Sequence, residues 1–206
     1  MTDGLRWVAE AYDFGYSLIF CEDLAPEEVL VRLGAWRESV LFPLTRQQAQ
    51  EIEVRNSADE PYDLDFLEDL DVEAVEERGF LQRYADAIVR AGSIEGWAFA
   101  IQASTSYVCA RDYLPVLSRG TRVIAVSRDI NAVQRVEYAV DGSVLSSFDP
   151  GMNPAHNDGA DPSAFPWPSS VSDSRQVLEH LETEFDLWVP KASENQLLLA
   201  AALSTR

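Results

Sequence analysis

The sequence predicts an α+β fold, an antiparallel sheet of about four to five strands with helices packed on one face. Three observations predict it. Residues 121–148 hold three successive strand-like runs, "TRVIAVSRD", "QRVEYAV" and "SVLSSF", and the last two meet at Asp141-Gly142. That dipeptide between alternating runs signals a tight hairpin, because both residues tolerate positive φ. Elsewhere the apolar spacing turns helical, with capping residues where helix ends need them. The chain has no internal repeat, and 206 residues at 47% hydrophobic content suffice for one packed domain spanning 1–206.

Taken in order, "YSLIFC" at 16–21 reads as a buried strand. "LAPEEVLVRLGA" follows as a helix: Pro26 suits its first turn, Glu27 and Glu28 its positive end, and Gly34 its close. Thr45 and Gln48 in "TRQQ" form a capping box that starts another. Residues 57–71, "SADEPYDLDFLEDLD", shift to an acidic loop or linker. A helix is predicted over 72–91 from Val72, Val75, Leu81, Tyr84, Ala85 and Ile88, with Gly92 as terminator. "GWAFAIQ" at 96–102 reads as a strand beside the meander. Asp112 caps one or two helical turns over 111–120. In the meander, Val136, Tyr138 and Val140 share one face, as do Val144, Ser146 and Phe148.

Residues 149–170 form a long Pro/Gly/Asp-rich connection, longer than an ordinary loop. C-terminal helices are predicted over 173–204. The first places Val177, Leu178, Leu181 and Phe185 on one side. The second, 193–204, opens with a capping box from Ser193 to Gln196 and is nearly all Leu and Ala. A helix that apolar needs a partner surface, in its own domain or in a second copy of the chain, so a homo-oligomer through 193–204 is one expectation.

The charge narrows the function. Thirty-five acidic against 16 basic residues give a formal net charge of −19 and a pI near 4.3. That field repels nucleic-acid phosphates and anionic lipid, and favours a basic partner. The single lysine, Lys191, among fifteen arginines fits GC-rich codon usage better than a physical need. Cys21 and Cys109 cannot build a disulfide framework. The start lacks a basic stretch leading into a sustained apolar run, and no segment nears the roughly 20 apolar residues that span a bilayer. A cytoplasmic protein with reduced thiols is expected.

The segments "LAPEE" (24–28), "RLGA" (32–35), "GW" (96–97), "LSRGT" (117–121), "NA" (131–132) and "YAVDGSVLSSFDP" (138–150) together resemble an uncharacterised domain-of-unknown-function family found mainly in actinobacteria. The resemblance spans about residues 7–150. It implies a scaffold and no activity, because its motifs are structural punctuation.

Common catalytic and cofactor signatures are absent: no phosphate loop, dinucleotide fingerprint, nucleophile elbow or zincin motif occurs. No cofactor or metal is expected. His180 and Glu184, one helical turn apart, read as a solvated pair before a cation site. "HNDGADP" at 156–162 fails the calcium-loop template, since Pro154 and His156 fall where carboxylates are required. Asp63, Asp65, Asp69 and Asp71 are the better oxygen cluster, yet charge runs are usually solvated. Cys21 and Cys109 read as structural. Arg111, Arg119, Arg122 and Arg128 are expected to pair with internal carboxylates.

These readings favour a non-enzymatic acidic protein-binding factor, immunity- or inhibitor-like, whose partner is a basic protein such as a toxin or effector enzyme. The candidate partner-binding residues are Asp59, Glu60, Tyr62, Asp63, Asp65, Phe66, Glu68 and Asp69, carboxylates with interspersed aromatics. One alternative is an enzyme of unrecognised class with a pocket near Asp149 and His156. Another is a nucleic-acid-mimicking inhibitor or an oligomeric scaffold.

Overall fold

The computed structural model describes residues 4–35, 41–67, 69–81, 87–103, 113–152, 158–165, 167–168 and 170–203. The meander forms as expected: strands β5 (Arg122–Arg128), β6 (Gln134–Val140) and β7 (Ser143–Phe148) pair antiparallel in succession. Asp141 (φ 49°) and Gly142 (φ 81°) supply the left-handed turn between the last two, whose twist matches that of the strands.

The sheet is larger than expected, with eight strands where four to five were predicted. β1 (Tyr16–Glu22) inserts between β5 and β4 (Trp97–Ala103), so the Gly96-Trp97 strand is not beside the meander. Beyond β4 come β3 (Ala87–Ile94), β8 (Leu198–Leu203) and the short β2 (Phe42–Leu44). Every neighbouring pair is antiparallel, in the order β2-β8-β3-β4-β1-β5-β6-β7.

Two predicted helices are strands in whole or in part. Among the described residues, the helix expected over 72–91 is α4 (Val72–Glu77). It is capped by Asp71 and ends where the Gly79 N–H bonds Glu76 O; Tyr84 and Ala85 lie outside the described residues. Residues 87–91 are buried on both faces of the sheet. A strand covered on both sides reads as a continuous apolar run and loses its period-2 signature. The same applies to 193–204. Lys191–Glu194 form one 3-10 turn, and the Leu/Ala run is β8, held between β2 and β3. Ser193 caps nothing: it is buried within the turn. Leu and Ala are strong helix formers, but backbone pairing on both edges outweighs a propensity of a few tenths of a kcal/mol per residue. The argument for a second subunit at this segment goes with the helix.

Helices cover both faces of the sheet rather than one. α2 (Pro26–Arg32) and α5 (Leu114–Leu117) bury Val29, Leu30, Leu114 and Leu117 against Ile19, Val89, Ala100, Val123 and Ala125. On the opposite face, α1 (Arg6–Ala11) and α6 (Ser174–Phe185) pack Trp7, Val8, Val177, Leu178 and Leu181 on Leu18, Phe99, Ile101 and Val126. α3 (Arg46–Ser57) and α4 sit beside them over Leu44, Ile88 and Ala200. α3 starts at the predicted Thr45/Gln48 capping box. Asp112 lies outside the described residues.

A bulge also corrects the face assignment in β7. Tyr138 pairs with Ser146 but Ala139 with Val144, leaving Leu145 extra. Val144 therefore packs towards the α2 side while Phe148 joins the α6 side, since one added residue inverts the alternation. The long connection returns along this edge: the N–H groups of Asp158, Ala160 and Asp161 donate to Ser147, Val144 and Leu145 carbonyls. Such a cover protects an exposed strand edge. Gly159 is required there, because a Cβ would lie 1.9 Å from Leu145 O.

Candidate functional site

α3 organises the site. Its apolar side, Ala49 and Ile52, enters the core with Leu64, Leu70, Val75 and Phe80, and Asn56 donates to Phe80 O at 2.7 Å. Its other sides face solvent and carry two features.

The first is a cavity of about 420 Å³ between α3 and the turn that leads into β1, lined by Ala11, Tyr12, Asp13, Phe14, Gly15, Arg46, Gln50, Glu53, Val54, Ser57 and Ala103. A polar network fixes its inner wall. Arg90, on β3, is only 2% exposed and donates to Tyr12 Oη and Ser193 O, each at 3.0 Å. Arg46 lies 4.4 Å from the Tyr12 ring centroid, pairs with Glu194 at 2.6 Å and donates to Ala11 O. These bonds meet donors of both guanidiniums, which burial makes necessary, though the Arg46 Nε is buried without a partner. Burial holds the Arg90 guanidinium below its usual pKa. Half-buried Glu53 accepts from the Ile88 N–H at 2.7 Å. Burial pushes its carboxyl up to about 7, partly opposed by that hydrogen bond.

The second feature is the acidic segment. Leu64 and Leu70 anchor it in the core, while Arg55 Nε holds Tyr62 O at 3.0 Å. The Tyr62 hydroxyl lies 3.2 Å from Glu51 Oε2 on α3, and the Tyr62 and Phe66 ring centroids are 6.3 Å apart. Asp59, Glu60, Tyr62, Asp63, Asp65, Phe66 and Asp69 are all exposed; Glu68 lies outside the described residues. The segment thus gathers the candidate residues on one surface. Val54, half exposed and one turn from Glu51, lines the cavity. Phe14, 68% exposed, lines it too.

Other candidates fall elsewhere. Asp149 Oδ1 accepts from the Gly151 N–H at 2.8 Å in a local turn; His156 is outside the described residues. Near that turn Phe165 stacks on Tyr138 and Phe185 at 4.9 Å, and Trp167 meets Phe148 edge-on at 5.3 Å. Phe148 therefore ends its strand inside an aromatic cluster. Arg122 makes the expected internal ion pair, a two-point contact with Glu22 at 2.6 and 3.0 Å beside the Trp97 ring. Arg128 differs: its Nε is buried with no partner. Arg111 and Cys109 are outside the described residues. His180 packs edge-on against Trp167 at 4.6 Å, and burial lowers its pKa against the pull of Glu184. Cys21 is a buried core residue whose thiol burial pushes up to about 12. Among the described residues no cluster of three or more His, Cys, Asp or Glu could hold a metal ion. No helix among them is long and apolar enough to cross a membrane.

The cavity residues escaped the sequence reading. Tyr12 and Arg46 look like ordinary helix-end residues, and Glu53 like a solvated helical carboxylate. One signal was present: an arginine inside the apolar run "AIVRAGSI" marks a buried cation that needs partners.

No curated protein and no solved structure matches the chain. A family of unknown function, DUF6461, matches residues 3–167, which include α3, the acidic segment and every cavity-lining residue, and the chain belongs to that family.

Proposed function

We propose that this chain is a non-enzymatic protein-binding factor that engages a basic partner through the outer surface of α3 and the acidic segment after it. One observation carries the reading. Phe14 and Val54 stand exposed at the cavity, and Tyr62 and Phe66 stand exposed side by side in the segment that also exposes Asp59, Glu60, Asp63, Asp65 and Asp69, with Tyr62 joined to α3 through Glu51. Exposed apolar side chains in a patch rimmed by charge have the anatomy of a protein interface, with aromatic anchors supplying affinity and rim carboxylates supplying steering. A net charge of −19 sets the sign of the partner. An immunity- or inhibitor-like factor, which blocks a basic toxin or effector enzyme by occupying its surface, fits this anatomy. The free buried thiol of Cys21 suits the reducing cytoplasm.

The test is capture with immobilised full chain, identification of the bound protein, and titration of that protein once purified. Tyr62→Ser with Phe66→Ser should weaken binding at least tenfold while leaving thermal stability unchanged, because both rings are exposed. Asp63→Asn with Asp65→Asn should slow association and flatten its salt dependence. A partner bound equally well by all variants at high salt refutes the proposal.

A further inference from the structure

We propose that the cavity between α3 and the Tyr12–Gly15 turn is a socket for one cationic side chain, lysine or arginine, projecting from the basic partner. The inference rests on the partner-binding reading and gives that interface its deepest contact.

The cavity has the required shape and chemistry. Its volume of about 420 Å³ accommodates one long side chain. Ala11, Ala103 and Val54 offer apolar surface for a methylene stem, and the exposed Phe14 ring can lie against a cation. The lining also carries Asp13, Gln50 and Glu53. No hydrogen bond engages the Asp13 carboxylate or the Gln50 amide among the described residues, and Glu53 uses only Oε1, on the Ile88 N–H. The cavity lining thus carries acceptor side chains that are not engaged within the protein, save Glu53 Oε1.

The two nearby arginines do not cancel this preference. Arg46, which lines the cavity, is paired with Glu194 and bonded to Ala11 O through its terminal nitrogens, while its Nε is buried with no hydrogen-bond partner. Arg90, beneath the wall on β3, spends its donors on Tyr12 Oη and Ser193 O. The cation–carboxylate pairing inside the wall thus leaves Asp13 and Glu53 as the charges offered to a ligand. The chain's strong negative field adds to the attraction.

Glu53 gives the socket a signature. Its carboxyl titrates at about 7 in the free protein, so near neutral pH a substantial fraction carries a proton. A cation seated beside it favours the carboxylate, and the displaced proton passes to the buffer. Affinity therefore rises as pH increases from 6 to 8. Asp13, Arg46, Arg90 and Glu194 are the other charged groups around the site.

The experiment titrates the full chain with N-acetyl-arginine amide, N-acetyl-lysine amide and, as the neutral isostere, N-acetyl-citrulline amide. Amide shifts of Phe14 and Val54 in two-dimensional NMR report binding. Calorimetry in two buffers of different ionisation enthalpy reports protons. The cationic probes should shift these amides with millimolar affinity while citrulline does not. Glu53→Gln and Asp13→Asn should each weaken binding about tenfold, and Glu53→Gln should abolish proton release. Gln keeps an acceptor for the Ile88 N–H; if that variant still fails to fold, Asp13→Asn decides the affinity arm and wild-type proton release decides the other. Equal binding of citrulline, no binding of any probe, or proton release that survives Glu53→Gln overturns the socket. Failure of the probes alongside partner capture that depends on Tyr62 and Phe66 overturns the socket alone. Probe binding alongside capture indifferent to those rings overturns the wider surface alone.

Discussion

Glu53 makes the protein's stability depend on pH in a direction opposite to that of most carboxylates. The side chain ordinarily titrates at 4.5, and in the folded chain at about 7. The folded state therefore holds the proton more tightly than the unfolded state between those values. Stability from this group is fully present below 4.5, declines as pH rises, and is lost once pH passes about 7. That interval corresponds to about 3 kcal/mol, an upper figure because the carboxyl keeps some contact with solvent. Glu53→Gln removes the titration and retains an acceptor for the Ile88 N–H. Urea unfolding at pH 5 and pH 8 isolates the term: the stability of the variant relative to wild type should rise by about 2–3 kcal/mol between the two. Other groups cancel in that difference. Parallel stability profiles, or a relative loss for the variant at pH 8, would refute a buried Glu53 with a raised pKa.

Three further perturbations probe the scaffold. Arg90→Ala leaves Tyr12 Oη and Ser193 O without their donor and opens a void, so urea titration should record a loss of about 3 kcal/mol; Arg90→Met, which fills the volume without a charge, should lose less than half as much. Gly159→Ala forces a Cβ to within 1.9 Å of Leu145 O, so hydrogen exchange should accelerate at Asp158, Ala160 and Asp161 while β1 stays protected. In a Cys109→Ser background, Cys21 should resist alkylation at pH 8 until the chain unfolds, since burial pushes its thiol up to about 12; rapid labelling of the native protein would contradict its place in the core.

What the sequence disclosed was local. The hairpin at Asp141-Gly142, the capping box at Thr45 and the Pro26 helix are each decided within a few residues, and each appears where expected. What it concealed was long-range. Residues 87–91 are buried on both faces and 198–203 are buried or half-buried on both, because helices cover both sides of the sheet, so neither segment alternates. Without alternation an apolar run is ambiguous between strand and helix, and Leu and Ala tilt the reading towards helix. The acidic residues were visible as a run, and their exposure follows from Leu64 and Leu70 turning inward. The cavity was not visible, because Tyr12, Arg46 and Glu53 meet only after β3 and the 191–194 turn bring Arg90, Ser193 and Glu194 against them.

That dependence bears on what the family match encloses. The match ends at residue 167, yet the wall behind the cavity is completed by Ser193 and Glu194, and β8 joins β3 to β2. Trp7 Nε1 donates to Val189 O at 2.8 Å, tying the first helix to the same late segment. The cavity-lining side chains therefore all lie within the matched region, while the contacts that hold Arg46 and Arg90 in place come partly from outside it. A lining can be present without its geometry, because an arginine released from Glu194 would turn its charge towards the carboxylates it now leaves free. In this chain Ser193 and Glu194, beyond the matched region, engage Arg90 and Arg46 and so set how much positive charge the cavity shows.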